Sequence, residues 1–359
     1  MTDSGNSVFN KKIQRYFINL AILLSSVILS LLAIELFLRF NPKFGYIYQS
    51  FSLLDDTKAP MVKHFSNHCL RPSDLLGYEN IPGCTVDKPY KYCLKINSYG
   101  MVGKEYPFKK ENNTFRVLLL GDSIAWFDWS RQFLEEYLND GNSLGSRYKF
   151  EIWNAAVPGY DVRRYALFLQ NKGLRYKPDM LIIFLCMNDF GLDTNFYYKL
   201  PNGCEAFYTP LFEVSKRMVV NRFLMQHAYL YRFVMLRLEN YLENKKTLQN
   251  RYSLKEDGRY YLRMIKEICQ KHRLPLYLIV FPYLKPLNKY DARQQNEYNK
   301  MISAIKESGL QYLNLNDYIA ADDLLAWRLN KDDEVHPSLE GHRRIAGIIY
   351  DYLIQVHRF

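Results

Sequence analysis

Between Phe17 and Leu38 lie 22 residues of which only Asn19, Ser25, Ser26, Ser30 and Glu35 are not apolar. Coiled as an α-helix, such a run is ~33 Å long, enough to cross the hydrocarbon core of a bilayer. A cleaved signal peptide is the competing reading, but its apolar region is usually about 7 to 15 residues and ends in a small-x-small site. Here the run is longer and leaves through Glu35, Leu36, Phe37, Leu38 and Arg39. A single-pass anchor over 17–38 is therefore expected, preceded by a tail of residues 1–16. Lys11, Lys12 and Arg15 precede the span and Arg39 and Lys43 follow it. That small excess places the N-terminus in the cytoplasm and the bulk of the chain outside, in a bacterial periplasm.

The remainder has the composition of a globular domain. The 359 residues are 48% apolar and 24% charged, which excludes a disordered or collagen-like chain. The net charge of +11 favours anionic partners without naming one, and an extracytoplasmic location argues against nucleic acid. The 30 Tyr and 22 Phe follow no repeat. Six cysteines without CxxC spacing argue against a zinc ribbon or thioredoxin-type motif. Outside the cytoplasm, Cys69, Cys84, Cys93 and Cys204 are candidates for one or two disulfides with the pairing open, whereas Cys186 and Cys269 read as buried thiols. His64, His68 and Cys69 find no second cluster to complete a tetrahedral site, so no metal is expected.

Residues 39–110 are rich in Pro, Gly, Asn and Lys and read as an irregular lead-in of turns and short strands. A different pattern fills 111–359. Short apolar runs at Phe115–Leu120, Phe150–Trp153, Met180–Leu185 and Leu276–Phe281 predict buried strands. Three-to-four spacing predicts helices at Ser130–Leu138, Val162–Lys172, Ser253–Lys271, Glu297–Glu307 and Leu339–Gln355. Strand and helix alternate as in an α/β protein with a parallel sheet covered on both faces. Residues 211–246 interrupt the alternation with a predicted helical insert. Its Arg217, Arg222, Arg232 and Arg237 either lie on anionic lipid heads or stay in water while the helix covers the core, the second being the default. The basic stretch Lys245–Arg251 reads as a solvated helix end.

Four segments at the ends of these elements carry chemistry. They are Gly121-Asp122-Ser123 after the first strand, Asn154 to Gly159 after the second, Cys186 to Asp189 after the third, and Asp333 to Pro337 near the C-terminus. The edge they share is the one where open α/β sheets hold ligands. In this order the segments resemble the four blocks of the SGNH or GDSL hydrolase family, over roughly Phe115 to the C-terminus. The resemblance implies a flavodoxin-like three-layer α/β/α fold with Ser123 as nucleophile, His336 as base and Asp333 as its orienting carboxylate. It implies an oxyanion hole from the backbone N–H of Ser123, the backbone N–H of Gly159 and the Asn188 amide. Asp122 and Asp189 are expected to support the loops, while Asp332 and Glu334 have the wrong spacing. The chain departs from the family where Ile124 to Phe127 follow the serine and where Cys186 replaces the glycine of GxND. Trp126, Trp129 and Tyr160 either form an aromatic wall for a sugar ring or acyl chain, or simply pack.

The expected activity is that of an anchored serine esterase removing an acyl group, such as acetyl, from an envelope glycan or another ester, with no cofactor. A second reading is an O-acyltransferase working with a multi-pass membrane acyltransferase, as several anchored relatives do. A third is a non-catalytic scaffold that keeps the fold.

Overall fold

Strands that are apolar on both faces can be buried only if helices cover both sides of their sheet, and that is the arrangement found. The computed structural model describes residues 3–40, 69–73, 75–86, 94–140, 148–190, 196–199, 205–208, 224, 228–231, 233–234, 258–319 and 324–357. Its strands are β1 (Leu70–Ser73), β2 (Gly77–Asn80), β3 (Thr85–Val86), β4 (Leu94–Lys95), β5 (Thr114–Leu120), β6 (Lys149–Asn154), β7 (Met180–Cys186), β8 (Phe196–Lys199), β9 (Glu205–Tyr208), β10 (Leu276–Phe281) and β11 (Tyr312–Asn314). Its α-helices are α1 (Asp3–Phe40), α2 (Ser123–Trp126), α3 (Trp129–Asp140), α4 (Val162–Asn171), α5 (Met187–Phe190), α6 (Gly258–His272), α7 (Ala292–Ser308), α8 (Leu324–Trp327) and α9 (Leu339–Val356).

Five strands form a parallel sheet in the order β11-β10-β7-β5-β6. Side chains alternate across it with a period of two. Leu118 and Leu120 of β5 face a core shared with Tyr165 and Leu169 of α4, Ile265 of α6 and Ile305 of α7. Val117 and Leu119 face the opposite core, with Leu134 and Leu138 of α3 and Ile345 and Ile349 of α9. The result is the three-layer α/β/α architecture that the resemblance implies. The four expected strands and five expected helices are all present, the helix expected from Ser253 being described from Gly258, with 253–257 outside the described residues. The helix expected from Glu297 starts earlier, at Ala292, because a capping box joins Asp291 and Gln294 ahead of the first apolar turn. The short edge strand β11 was not foreseen. Of the insert expected over 211–246, only 224, 228–231 and 233–234 are among the described residues, and Cys93, Cys204, His64, His68 and Lys245–Arg251 lie outside them.

The lead-in contributes two antiparallel pairs, β1–β2 and β3–β4. A disulfide between Cys69 and Cys84 closes it, with Cα atoms 5.6 Å apart, while Cys186 and Cys269 are buried free thiols. Val102 bridges Asn154 at the end of edge strand β6. Nearby, the buried Arg116 pairs with Glu151 at 3.0 Å, donates to the carbonyls of Pro107, Phe108 and Tyr176, and stacks 4.5 Å from the Trp153 ring. A guanidinium with so many partners fixes the chain that enters the sheet.

At the other end, Ile13–Phe40 of α1 contains an 18-residue stretch with a mean hydropathy of 2.5 and is long and apolar enough to cross a membrane. Most of its described side chains, such as Phe17, Leu23 and Leu29, are exposed, so it is not a helix of the core.

Because the disulfide closes a loop of 15 residues, Cys84→Ser is expected to destabilise the chain by about 3 kcal/mol. Urea titration under non-reducing conditions checks this; an unchanged midpoint contradicts it.

Candidate active site

The site begins at the turn from β5 into α2. Gly121 is needed there because a Cβ would lie 2.6 Å from that of Ala125 and 3.2 Å from that of Phe184. The next residue, the buried Asp122, caps α2 by accepting the N–H of Ile124 at 2.9 Å. This tight strand-to-helix turn carries Ser123 at the C-terminal end of β5. β6 and β7 flank β5 on opposite sides, so the loops after them reach the same edge.

After β6, Asn154 bonds the Ala156 amide, and Val157 donates to the Gly121 carbonyl at 3.2 Å, which joins this loop to the serine turn. Gly159 then takes φ +71, a left-handed conformation that residues with a Cβ resist. A Cβ there would also lie 2.9 Å from the Tyr78 hydroxyl. After β7, Asn188 sits in α5 with its amide donating to Asp122 and Asp189 at 3.3 and 3.2 Å. Gly159 and Asn188 are exposed and Ser123 is half-buried.

Asp333 and His336 arrive on the loop before α9. Glu334 accepts the Leu284 amide through its backbone carbonyl at 2.6 Å, which ties the loop to the end of β10, and its carboxylate pairs with Lys285 at 2.7 Å. Behind His336, Leu329 and Pro337 close the turn onto α8, and Ser338 caps α9. His336 Nε2 lies 2.9 Å from Ser123 Oγ, and Nδ1 lies 3.0 Å from Asp333 Oδ2. Asp333 also accepts the amides of Val335 and His336 at 2.9 Å. Burial pushes the Asp333 carboxyl up, but the His336 hydrogen bond and charge and these two amides outweigh it and hold it below the ordinary value. A carboxylate can only accept, so Nδ1 carries the proton and Nε2 is left as an acceptor for the serine hydroxyl. Such an arrangement can activate an alcohol for attack on an acyl carbon. Asp332 and Glu334 are engaged elsewhere: Asp332 donates its backbone N–H to Asn330 and Glu334 pairs with Lys285.

Asp189 is fully buried, accepting the Cys186 amide at 2.9 Å and the Tyr165 hydroxyl at 3.0 Å. Burial, reinforced by Asp122, pushes its carboxyl well above the ordinary range, and burial with the same two aspartates keeps Cys186 a thiol. Donor atoms of Asp122, Cys186 and Asp189 lie within 4.8 Å of one another. With Cys186 donating to Asp122 and Asp189 accepting the Cys186 amide and the Tyr165 hydroxyl, the three groups are satisfied internally and fit a polar network rather than a metal cage. Trp126, Trp129 and Tyr160 are buried, so the packing reading holds for all three.

Two residues escaped the sequence reading. Tyr78, from the lead-in hairpin, donates to the Pro158 carbonyl at 2.8 Å and accepts the Tyr160 hydroxyl on its own carbonyl at 2.5 Å, which pins the loop bearing Gly159. His342, on α9, is buried behind His336, with Ser130 Oγ 2.7 Å from its Nδ1 and the Trp129 ring edge-on at 5.4 Å. Burial, with the His336 charge adding to it, pushes His342 down to about 3. Both depend on contacts more than 70 residues apart in the chain, which no local pattern announces.

The family model for the GDSL-like lipase/acylhydrolase family matches residues 119–344, well over half of the chain. No curated protein matches it. Among solved structures, the chain is similar to a lipase/acylhydrolase from Enterococcus faecalis, with 17% identity over 67% of this chain and 95% of that one and a TM-score of 0.40. It is also similar to a GDSL-like lipase from Bacteroides thetaiotaomicron, with 12% identity over 67% and 89% and a TM-score of 0.36. An acetyl xylan esterase shares 14% identity over 67% and 100%, with a TM-score of 0.39. Membership rests on the family model and not on these three.

Gly159→Ala, which combines the left-handed backbone with the contact at Tyr78, is expected to lower esterase kcat about 10²-fold, the cost of one oxyanion donor, together with a modest fall in melting temperature from the strained turn. Equal kcat in the variant contradicts this role. A second expectation concerns acid. The unfolded imidazole of His342 titrates near 6.5 and the native one near 3, so the unfolded chain takes up the proton first. The stability held by neutral His342 is whole above about pH 6.5 and is lost progressively as pH falls toward 3. Urea melts at pH 7 and pH 5 are expected to show a smaller loss for His342→Asn than for the unsubstituted chain; equal losses contradict it.

Proposed function

We propose that this chain, which belongs to the GDSL-like lipase/acylhydrolase family, is a membrane-anchored serine esterase that works outside the cytoplasm on a short acyl ester. The observation that carries this reading is the continuous line from Ser123 Oγ to His336 Nε2 at 2.9 Å and from His336 Nδ1 to Asp333 at 3.0 Å.

In the first step Ser123 Oγ bonds to the acyl carbon while its proton passes to His336 Nε2. Asp333 holds the imidazole in place and stabilises the imidazolium, its lowered carboxyl value keeping it charged. The tetrahedral oxyanion is received by the N–H groups of Ser123 and Gly159 and by the Asn188 amide. Collapse breaks the bond to the leaving alcohol, which takes the proton from His336, and leaves an acyl-serine. Water then adds, gives its proton to the same nitrogen and releases the acid as Ser123 recovers the proton.

Exposure of Gly159 and Asn188 favours water as the acceptor, and so hydrolysis over transfer to a sugar. The apolar helix α1 and the Cys69–Cys84 disulfide both support an extracytoplasmic catalytic domain, where O-acylated envelope glycans are within reach. A scaffold would have no need to keep Asp333, His336 and Ser123 in hydrogen-bonding line.

The test is hydrolysis of 4-nitrophenyl acetate by the detergent-solubilised full chain. Ser123→Ala and His336→Ala are each expected to lose about 10⁴-fold or more in kcat, and Asp333→Asn about 10⁴-fold through the wrong tautomer. Retention of the full rate by Ser123→Ala rules the reading out.

A further inference from the structure

A carboxylate near the end of a membrane-length apolar helix is costly in lipid unless its oxygens are satisfied. Glu35 is satisfied from outside its own helix. One oxygen accepts the backbone N–H of Tyr229 at 2.9 Å and the other that of Leu230 at 2.7 Å, while Arg39 donates to the first at 2.9 Å from one turn on. The Arg39 guanidinium also lies 5.2 Å from the centre of the Tyr229 ring. Leu38 and Tyr229 are buried at 3% and 6% exposure, whereas Leu29, Leu36 and Phe37 on the same helix are exposed. The contact is thus confined to the last turns of α1.

Its height follows from the sequence of α1. The apolar run stops at Leu38, so Glu35 and Arg39 bracket the level at which the helix leaves the hydrocarbon. Any group hydrogen-bonded to Glu35 is held at that level. Residues 228–234 include Tyr229, Leu230, Tyr231, Phe233 and Val234, the aromatic and aliphatic mixture that gathers at the headgroup boundary. Val234 is 51% exposed there.

We propose that residues 228–231, with Phe233 and Val234, form a membrane-contact element seated at the headgroup–acyl boundary of the bilayer that α1 crosses, with the Glu35 carboxylate locking it to the anchor. This rests on the reading of α1 as an anchor. It places this part of the insert on lipid rather than over the core, and it attaches the catalytic domain to the membrane at two points.

The experiment uses the full chain in phosphatidylcholine–phosphatidylglycerol vesicles, with nitroxide labels at Leu29→Cys, Val234→Cys and Lys271→Cys in turn. Collision with oxygen and with a water-soluble nickel chelate reads depth, the unsubstituted chain giving the background. Leu29→Cys is expected to report hydrocarbon, Lys271→Cys water, and Val234→Cys the boundary. In Glu35→Ala the Val234 label is expected to move to water while the Leu29 label stays. A Val234 label in water beside a Leu29 label in hydrocarbon overturns the proposal and leaves the anchor standing, as does a Val234 label that ignores Glu35→Ala. A Leu29 label in water overturns both.

Discussion

The buried Asp122 carboxylate is the fixed point on which the site is built. It sits where β5 ends, caps α2 through Ile124, lies 3.3 Å from Ser123 Oγ, accepts from the Asn188 amide at 3.3 Å and meets the Cys186 thiol at 3.8 Å. One side chain therefore orients the serine turn and the loop that follows β7. A carboxylate at this depth is tolerable because each of these partners approaches it with a donor. Asp189, which shares the pocket, has its carboxyl pushed well above the ordinary range by burial and by the neighbouring Asp122.

Around this point the remaining loops are held from outside the sheet. The turn bearing Gly159 has no regular structure of its own and gains its rigidity from the lead-in. Tyr78 and Asn80 reach it at Pro158 and Ala156, and Arg164 joins Asp161 to the Leu76 carbonyl beneath the Tyr78 and Tyr160 rings. On the other side, Asp128 holds a left-handed backbone at φ +66 and pairs with the buried Arg131, which also reaches Glu135. Asn154 bonds both Asp128 and the Ala125 carbonyl, linking that network to the helix that starts at the serine. Catalytic geometry depends on such supports, because small displacements of a donor cost large factors in rate.

The layered architecture was legible because burial on both faces leaves unbroken apolar runs such as Met180–Leu185, and because helices covering the sheet keep a three-to-four spacing. The meeting of Ser123, His336 and Asp333 was legible from the order of four short segments, each at the end of an element. β11 was not, since Tyr312, Leu313 and Asn314 alternate over only three residues and pair with β10 alone. The start of α7 was missed because polar capping by Asp291 precedes any apolar period. The partner of Cys69 stayed open among three cysteines, since disulfide pairing is a property of the folded path. Tyr78, His342 and the bond from Glu35 to residues 229 and 230 are tertiary, and nothing in their neighbouring sequence marks them.

In the proposed function an apolar helix would hold an acyl-ester enzyme against a membrane while the sheet edge supplies its nucleophile. The central claim is that Ser123 is activated by His336. The most direct measurement is treatment of the full chain in detergent with a fluorophosphonate, followed by intact mass and peptide mapping. The account predicts a single phosphonyl group on Ser123, with fluoride as the leaving group, and little or none in His336→Ala over the same time. Equal labelling of His336→Ala, or a group found elsewhere than Ser123, would contradict it.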